Sequence, residues 1–61
     1  MKKILLKQKD DYSLFARLTK DNKVHEYVIA WVYDEESDSW CQGIYVDDIE
    51  KAIEIFKERT R

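Results

Sequence analysis

Val24-His25-Glu26-Tyr27-Val28-Ile29-Ala30-Trp31-Val32-Tyr33-Asp34 reads as a β-strand that is apolar on both faces. Side chains alternate sides along a strand. One face therefore carries Val24, Val28, Ala30 and Val32, and the other carries Tyr27, Ile29, Trp31 and Tyr33. A chain of 61 residues with one evident helix can cover only one of them. The second face must find another cover, and this makes it the first place to look for function.

Polar breaks at Lys9-Asp10-Asp11, Asp21-Asn22-Lys23 and Glu35-Glu36-Ser37-Asp38-Ser39 separate four runs rich in β-branched, leucine and aromatic residues, 2–8, 12–20, 24–34 and 40–46. Breaks at this spacing predict an antiparallel meander of four strands. The period then changes. Ile49, Ala52, Ile53 and Phe56 recur at i, i+3, i+4 and i+7, the stripe of an amphipathic helix over 48–59. Asp47 is placed to cap it, with Glu50 three residues later. Lys57, Arg59 and Arg61 suit the negative end of the helix dipole. The fold expected is α+β, ββββα, with the helix packed on one face of the sheet and residues 1–61 forming a single small domain.

Three-residue loops between the first strands and a five-residue loop at 35–39 fix a trial register. It gathers Ile4, Leu6, Leu14, Ala16, Leu18, Val28, Ala30, Val32, Ile44 and Val46 under the helix stripe. On the other face it places Leu5, Phe15, Ile29 and Tyr45 in one row and Ser13, Trp31 and Gly43 in the next, so that Trp31 lies over the glycine. Arg17 falls opposite Tyr27 and Tyr33 opposite Cys41. Trp40 falls on the helix side, where it would close the end of the core.

Composition narrows the function classes. Eleven Lys plus Arg against thirteen Asp plus Glu weigh against binding driven by phosphate neutralisation. Lysines 2, 3, 7 and 9 load one end, whereas Asp34, Glu35, Glu36, Asp38, Asp47, Asp48 and Glu50 load the second half. A single cysteine makes no internal disulfide, and Cys41 with His25 is too small a set for a structural zinc site. A reducing cytoplasm is the expected compartment. No run approaches the roughly 18–20 apolar residues of a membrane span. The acidic loop lacks the glycine and spacing of an EF-hand, and one glycine builds no phosphate cradle. His25 and Cys41 are expected at distant ends of the sheet, too far apart for a nucleophile and its base. No enzyme activity, cofactor or metal is expected.

Three readings of the aromatic face remain open. Its rings can pack on one another as a minor core capped by lysine stems. They can contact a protein, either a partner or a second copy in a homodimer. They can also stack single-stranded nucleic-acid bases. For protein contact, Phe15, Arg17, Tyr27, Ile29, Trp31, Tyr33 and Tyr45 would form the apolar surface, and Asp34, Glu35, Glu36 and Asp38 would steer it electrostatically.

Tyr27-Val28-Ile29-Ala30-Trp31-Val32-Tyr33-Asp34, followed by Trp40-Cys41-Gln42-Gly43-Ile44-Tyr45 and a helix with Ala52 and Phe56, resembles short proteins of prophages and mobile elements of Gram-positive bacteria. The resemblance spans residues 27–56. It implies a small non-enzymatic protein that binds and blocks a host defence factor, such as a CRISPR nuclease. An acidic loop able to imitate phosphate charge would suit that role.

Overall fold

The computed structural model describes residues 2–61. Four antiparallel strands lie in chain order, β1 (Lys2–Lys9), β2 (Tyr12–Leu18), β3 (Val24–Asp34) and β4 (Ser39–Val46). A single helix, α1 (Ile49–Arg59), packs on β2, β3 and β4. This is the ββββα meander that the sequence predicts.

The helix starts one residue later than its sequence signal. Asp48, rather than Asp47, is the N-cap, and its carboxylate accepts a hydrogen bond from the Glu50 amide at 3.0 Å. At the other end the amide and hydroxyl of Thr60 both donate to the Phe56 carbonyl, at 3.0 and 2.7 Å, and end the helix. Ala52 and Phe56 are buried from its predicted stripe, and Ile53 packs beside them.

The strand register differs from the trial one by a single residue along β3, and by a further shift in β1 beyond Leu5. Leu14 pairs with Ile29 and Phe15 with Val28, while Ile29 pairs with Ile44 and Val28 with Tyr45. Two local features cause the slip. The β2–β3 connection runs through Thr19–Lys23, with Asn22 at φ 62°, and a bulge follows where Arg17 pairs with Glu26 but Leu18 with Val24. The β3–β4 loop holds four residues rather than five, because Asp34 pairs with Ser39. Inside it Asp34 accepts from the Glu36 amide at 3.1 Å and from the Ser37 hydroxyl at 3.0 Å, and Asp38 adopts φ 53°.

A one-residue slip exchanges the faces of a strand. Val28 and Ala30, expected beneath the helix, lie on the opposite face. Ile29 and Tyr27, expected opposite, lie beneath it with Leu14, Ile44, Val46, Ala52 and Phe56. Leu14, Ile44 and Val46 keep the side assigned to them. In β1, Ile4 and Leu5 pair with Ala16 and Leu5's expected neighbour Phe15, but a bulge before Lys7 replaces the expected Leu6–Leu14 pair with Lys7–Leu14. The helix does not reach β1, so Ile4 and Leu6 remain exposed; so does Val32 on β3.

Val28 and Ala30 have no helix above them, yet both are fully buried. Their cover is the far end of the β3–β4 hairpin, which turns back over the second face. The turn is made at Val32, whose φ of 55° is left-handed and breaks the alternation of β3. Its amide donates to the Asp11 carbonyl at 2.8 Å, which fixes the bend against the β1–β2 turn. Beyond it, Tyr33 and its partner Trp40 land on Phe15, Val28 and Ala30.

A left-handed conformation costs an L-residue roughly 1–2 kcal/mol, and a β-branched side chain tolerates it poorly. Val32 is exposed and loses little packing when truncated. Val32→Gly should therefore raise the unfolding free energy by about 0.5–1 kcal/mol, after the entropic cost of glycine is deducted. Urea titration followed by circular dichroism measures it; a loss of stability would mean that the valine side chain holds the bend.

Candidate functional site

The second face is a small aromatic core assembled from three strands. Phe15 is its centre. The Tyr33 ring meets Phe15 edge-on at 4.8 Å between centroids, and the Trp40 ring stacks on Phe15 at 6.1 Å. Edge-on and offset arrangements are the favoured ones for aromatic quadrupoles. The floor below is the row Ser13, Ala30 and Gly43, which are cross-strand partners. All three are small, so the rings can approach the backbone.

Gly43 is the limiting case. A Cβ there would stand 2.7 Å from the indole nitrogen of Trp40 and 2.9 Å from the Tyr45 hydroxyl. An indole does lie over this glycine, as the sequence suggests, but it belongs to Trp40 and not to Trp31. The Trp40 indole N–H donates to the Tyr45 hydroxyl at 3.1 Å, which satisfies the one polar atom of the ring.

One polar cluster pins this lid to β1. The Lys3 ammonium forms an ion pair with Asp38 at the hairpin tip, and the Tyr33 hydroxyl donates to the same Asp38 oxygen at 2.8 Å. Lys3 also stands 5.5 Å from the Tyr33 ring centroid and 5.8 Å from that of Phe15, within cation–π range. Hydrogen bonds from Lys3 and then Tyr33 hold the Asp38 carboxyl below its ordinary range. The same contact with Asp38 raises Lys3 and Tyr33 above theirs.

The residues expected to form one aromatic surface divide between the two faces. Phe15, Arg17, Tyr33 and Tyr45 belong to the second face, with Phe15 buried and Tyr45 half-exposed at 50%. Tyr27 and Ile29 pack under the helix. Trp31 pairs with Tyr12 and Gln42 on the helix side, where it lines a groove with Arg59 and keeps 37% of its surface. Arg17 pairs with Glu26 rather than lying opposite Tyr27, and its guanidinium bonds that carboxylate at 2.7 Å. Tyr33 faces Trp40, not Cys41. Trp40, assigned to the helix side, anchors the second face instead. A flat stacking platform of Tyr27, Trp31 and Tyr33 does not exist in this arrangement.

The acidic loop survives as a surface. Asp34, Glu35, Glu36 and Asp38 are all exposed. Leu5, 48% exposed, flanks Phe15 on one side of the lid, and Tyr45 flanks Trp40 on the other. Trp40 is the residue that sequence reasoning misplaced. Its signal was the glycine three positions along the same strand, since a large ring beside a single glycine can lie on it without help from another strand. Among the described residues, no group of three or more His, Cys, Asp or Glu could hold a metal ion. Among the same described residues, no helix is long and apolar enough to cross a membrane. No family model, curated protein or solved structure matches the chain.

Two measurements test this site. Gly43→Ala forces the Trp40 and Tyr45 rings aside and should cost about 1–3 kcal/mol, the usual range for overpacking; an unchanged Tm would show that the rings move freely. The second is a pH titration. A lowered carboxyl pKa stabilises above the ordinary carboxylate range and loses that contribution as pH falls through the depressed value. Raised Lys3 and Tyr33 values act in the opposite sense, their contribution vanishing as pH climbs through them. Carboxyl NMR should accordingly find Asp38 protonating below the ordinary aspartate range on acidification, with the Tyr33 ring signals moving in step.

Proposed function

We propose that this chain is a non-enzymatic protein-binding module that inhibits a host defence nuclease, and that it binds through the folded-back hairpin and its rim. The observation that carries this reading is the pinned acidic loop. Lys3 and Tyr33 fix Asp38, so Asp34, Glu35 and Glu36 are presented from a braced turn beside half-exposed Leu5 and Tyr45. A braced loop loses less conformational entropy on binding than a free one. Carboxylates around an apolar rim complement a basic channel with an apolar edge, such as the nucleic-acid path of a nuclease. Tyr45 is the anchor, because a half-exposed tyrosine supplies contact area at little entropic cost. Trp40 supports it from below through the indole–hydroxyl bond.

The test is cleavage of target DNA by guide-loaded CRISPR nucleases in the presence of the purified chain. Inhibition should weaken at least tenfold, about 1.4 kcal/mol, in Tyr45→Ala and in the double variant Glu35→Lys/Glu36→Lys, with thermal unfolding of the double variant unchanged. Full cleavage at every concentration of the wild-type chain would remove the nuclease reading. Inhibition indifferent to both variants would move the contact off the hairpin.

A further inference from the structure

The sheet has two outer strands, β1 and β4, and their main chains have no strand beyond them. An exposed edge is a template for pairing with another chain unless something blunts it. On β1 the residues Ile4, Leu5 and Leu6 are each between 44% and 49% exposed, an unusual apolar run for an edge. Lys2, Lys3, Lys7 and Lys9 surround it.

We infer that a second copy of this chain docks on β1 through its β4 edge, extending the sheet from one molecule to the next. Four features of the fold agree on this occupant. The first is polarity: in a four-stranded antiparallel meander β1 and β4 run in opposite directions, so a neighbour's β4 laid along β1 with both helices on one side continues the antiparallel pattern.

The second is face parity. Setting Ile4 opposite the neighbour's Ile44 places Lys2 opposite Val46, Lys3 opposite Tyr45 and Leu5 opposite Gly43. Ile4 shares the helix side with Ala16, and Ile44 shares it with Ile29. Leu5 and Gly43 share the other side, through Phe15 and Ala30. No side chain in this register changes face. Leu5 would lie beside the Trp40 and Tyr45 rings that stand over Gly43.

The third is charge. The lysines argue against pairing β1 with a second β1, which would align like charges. β4 instead runs into Asp47, Asp48 and Glu50, which in this polarity fall at the Lys2–Lys3 end of β1. The edge lysines thus discriminate between partners rather than forbidding all of them. The fourth is extent. The β1 bulge after Leu5 and the bend at Val32 leave Lys2–Leu5 and Gly43–Val46 as the regular, in-plane parts of the two edges, and these have equal length. A contact this short is reversible and concentration-dependent. It is also head-to-tail, so it does not saturate at two copies unless the sheet closes on itself.

Sedimentation equilibrium of the 7.4 kDa chain from micromolar to millimolar concentration tests the inference. The weight-average mass should climb with concentration and fall back as salt is added. Lys2→Glu alone and Asp47→Lys alone should each abolish the rise while leaving the far-ultraviolet spectrum and Tm unaltered. Mixing the two variants should restore it, because each carries one intact edge and the two altered edges now complement each other. A mass that stays monomeric throughout would overturn the inference. So would association indifferent to both charge changes, or variants that remain monomeric when mixed. The edge contact covers Leu5 and Tyr45, which the proposed inhibition also uses, so self-association and nuclease binding compete, and the solution mass rather than inhibition is the readout of the edge contact.

Discussion

Ser13, Ala30 and Gly43 form one row across three strands, and their small size lets the end of the β3–β4 hairpin lie against the sheet. Much of the remaining structure depends on that contact. With it, Val28, Ala30 and Phe15 are buried on a face that no helix covers. At Gly43 even a single Cβ would press on the Trp40 and Tyr45 rings. The domain thus gains two thin cores from one sheet, one beneath α1 and one beneath its own hairpin. For a chain of 61 residues without an internal disulfide, that second core adds apolar burial which the helix alone could not provide.

The aromatic core also gives order to its polar neighbours. Lys3 is at once the counter-ion of Asp38 and a cation set beside two rings. Its ammonium stands near Phe15 and ties the first strand to the tip of the last hairpin. The chain therefore holds its most acidic loop by a single basic residue drawn from its most basic segment. The charge asymmetry between the two halves is in part a folding device, with the remaining carboxylates left facing outwards.

Much of this was legible in the sequence. The four runs and the helix stripe give the topology, and Leu14, Ile44, Val46, Ala52 and Phe56 fall on the side that periodicity assigns them. The candidate surface was less legible because it turns on one residue of offset. Nothing in the composition of 19–25 announces a bulge at the start of β3, and the loop at 35–38 differs from a five-residue one only through Asp34 and its local hydrogen bonds. Since β3 is apolar on both faces, either register buries oily side chains, and hydrophobic pattern cannot choose between them. Packing volume chooses: the small partners Ser13 and Gly43 mark the face on which rings must fit, and Ala30 is the β3 residue that matches them. Val32 was beyond reach, because a β-branched residue is the last to be expected in a left-handed bend.

The return of the hairpin over its own sheet also has a kinetic side. The β1–β2 and β3–β4 hairpins are local and can form early, within the microseconds typical of such units. The tie between Lys3 and Asp38 spans most of the strand region, and it can close only once β2 and β3 have met and laid down the floor of small residues. Contacts between distant parts of a chain carry the loop-closure entropy that slows folding. The aromatic lid is therefore expected to be the last layer to assemble, and the bend at Val32 the hinge on which that final step turns.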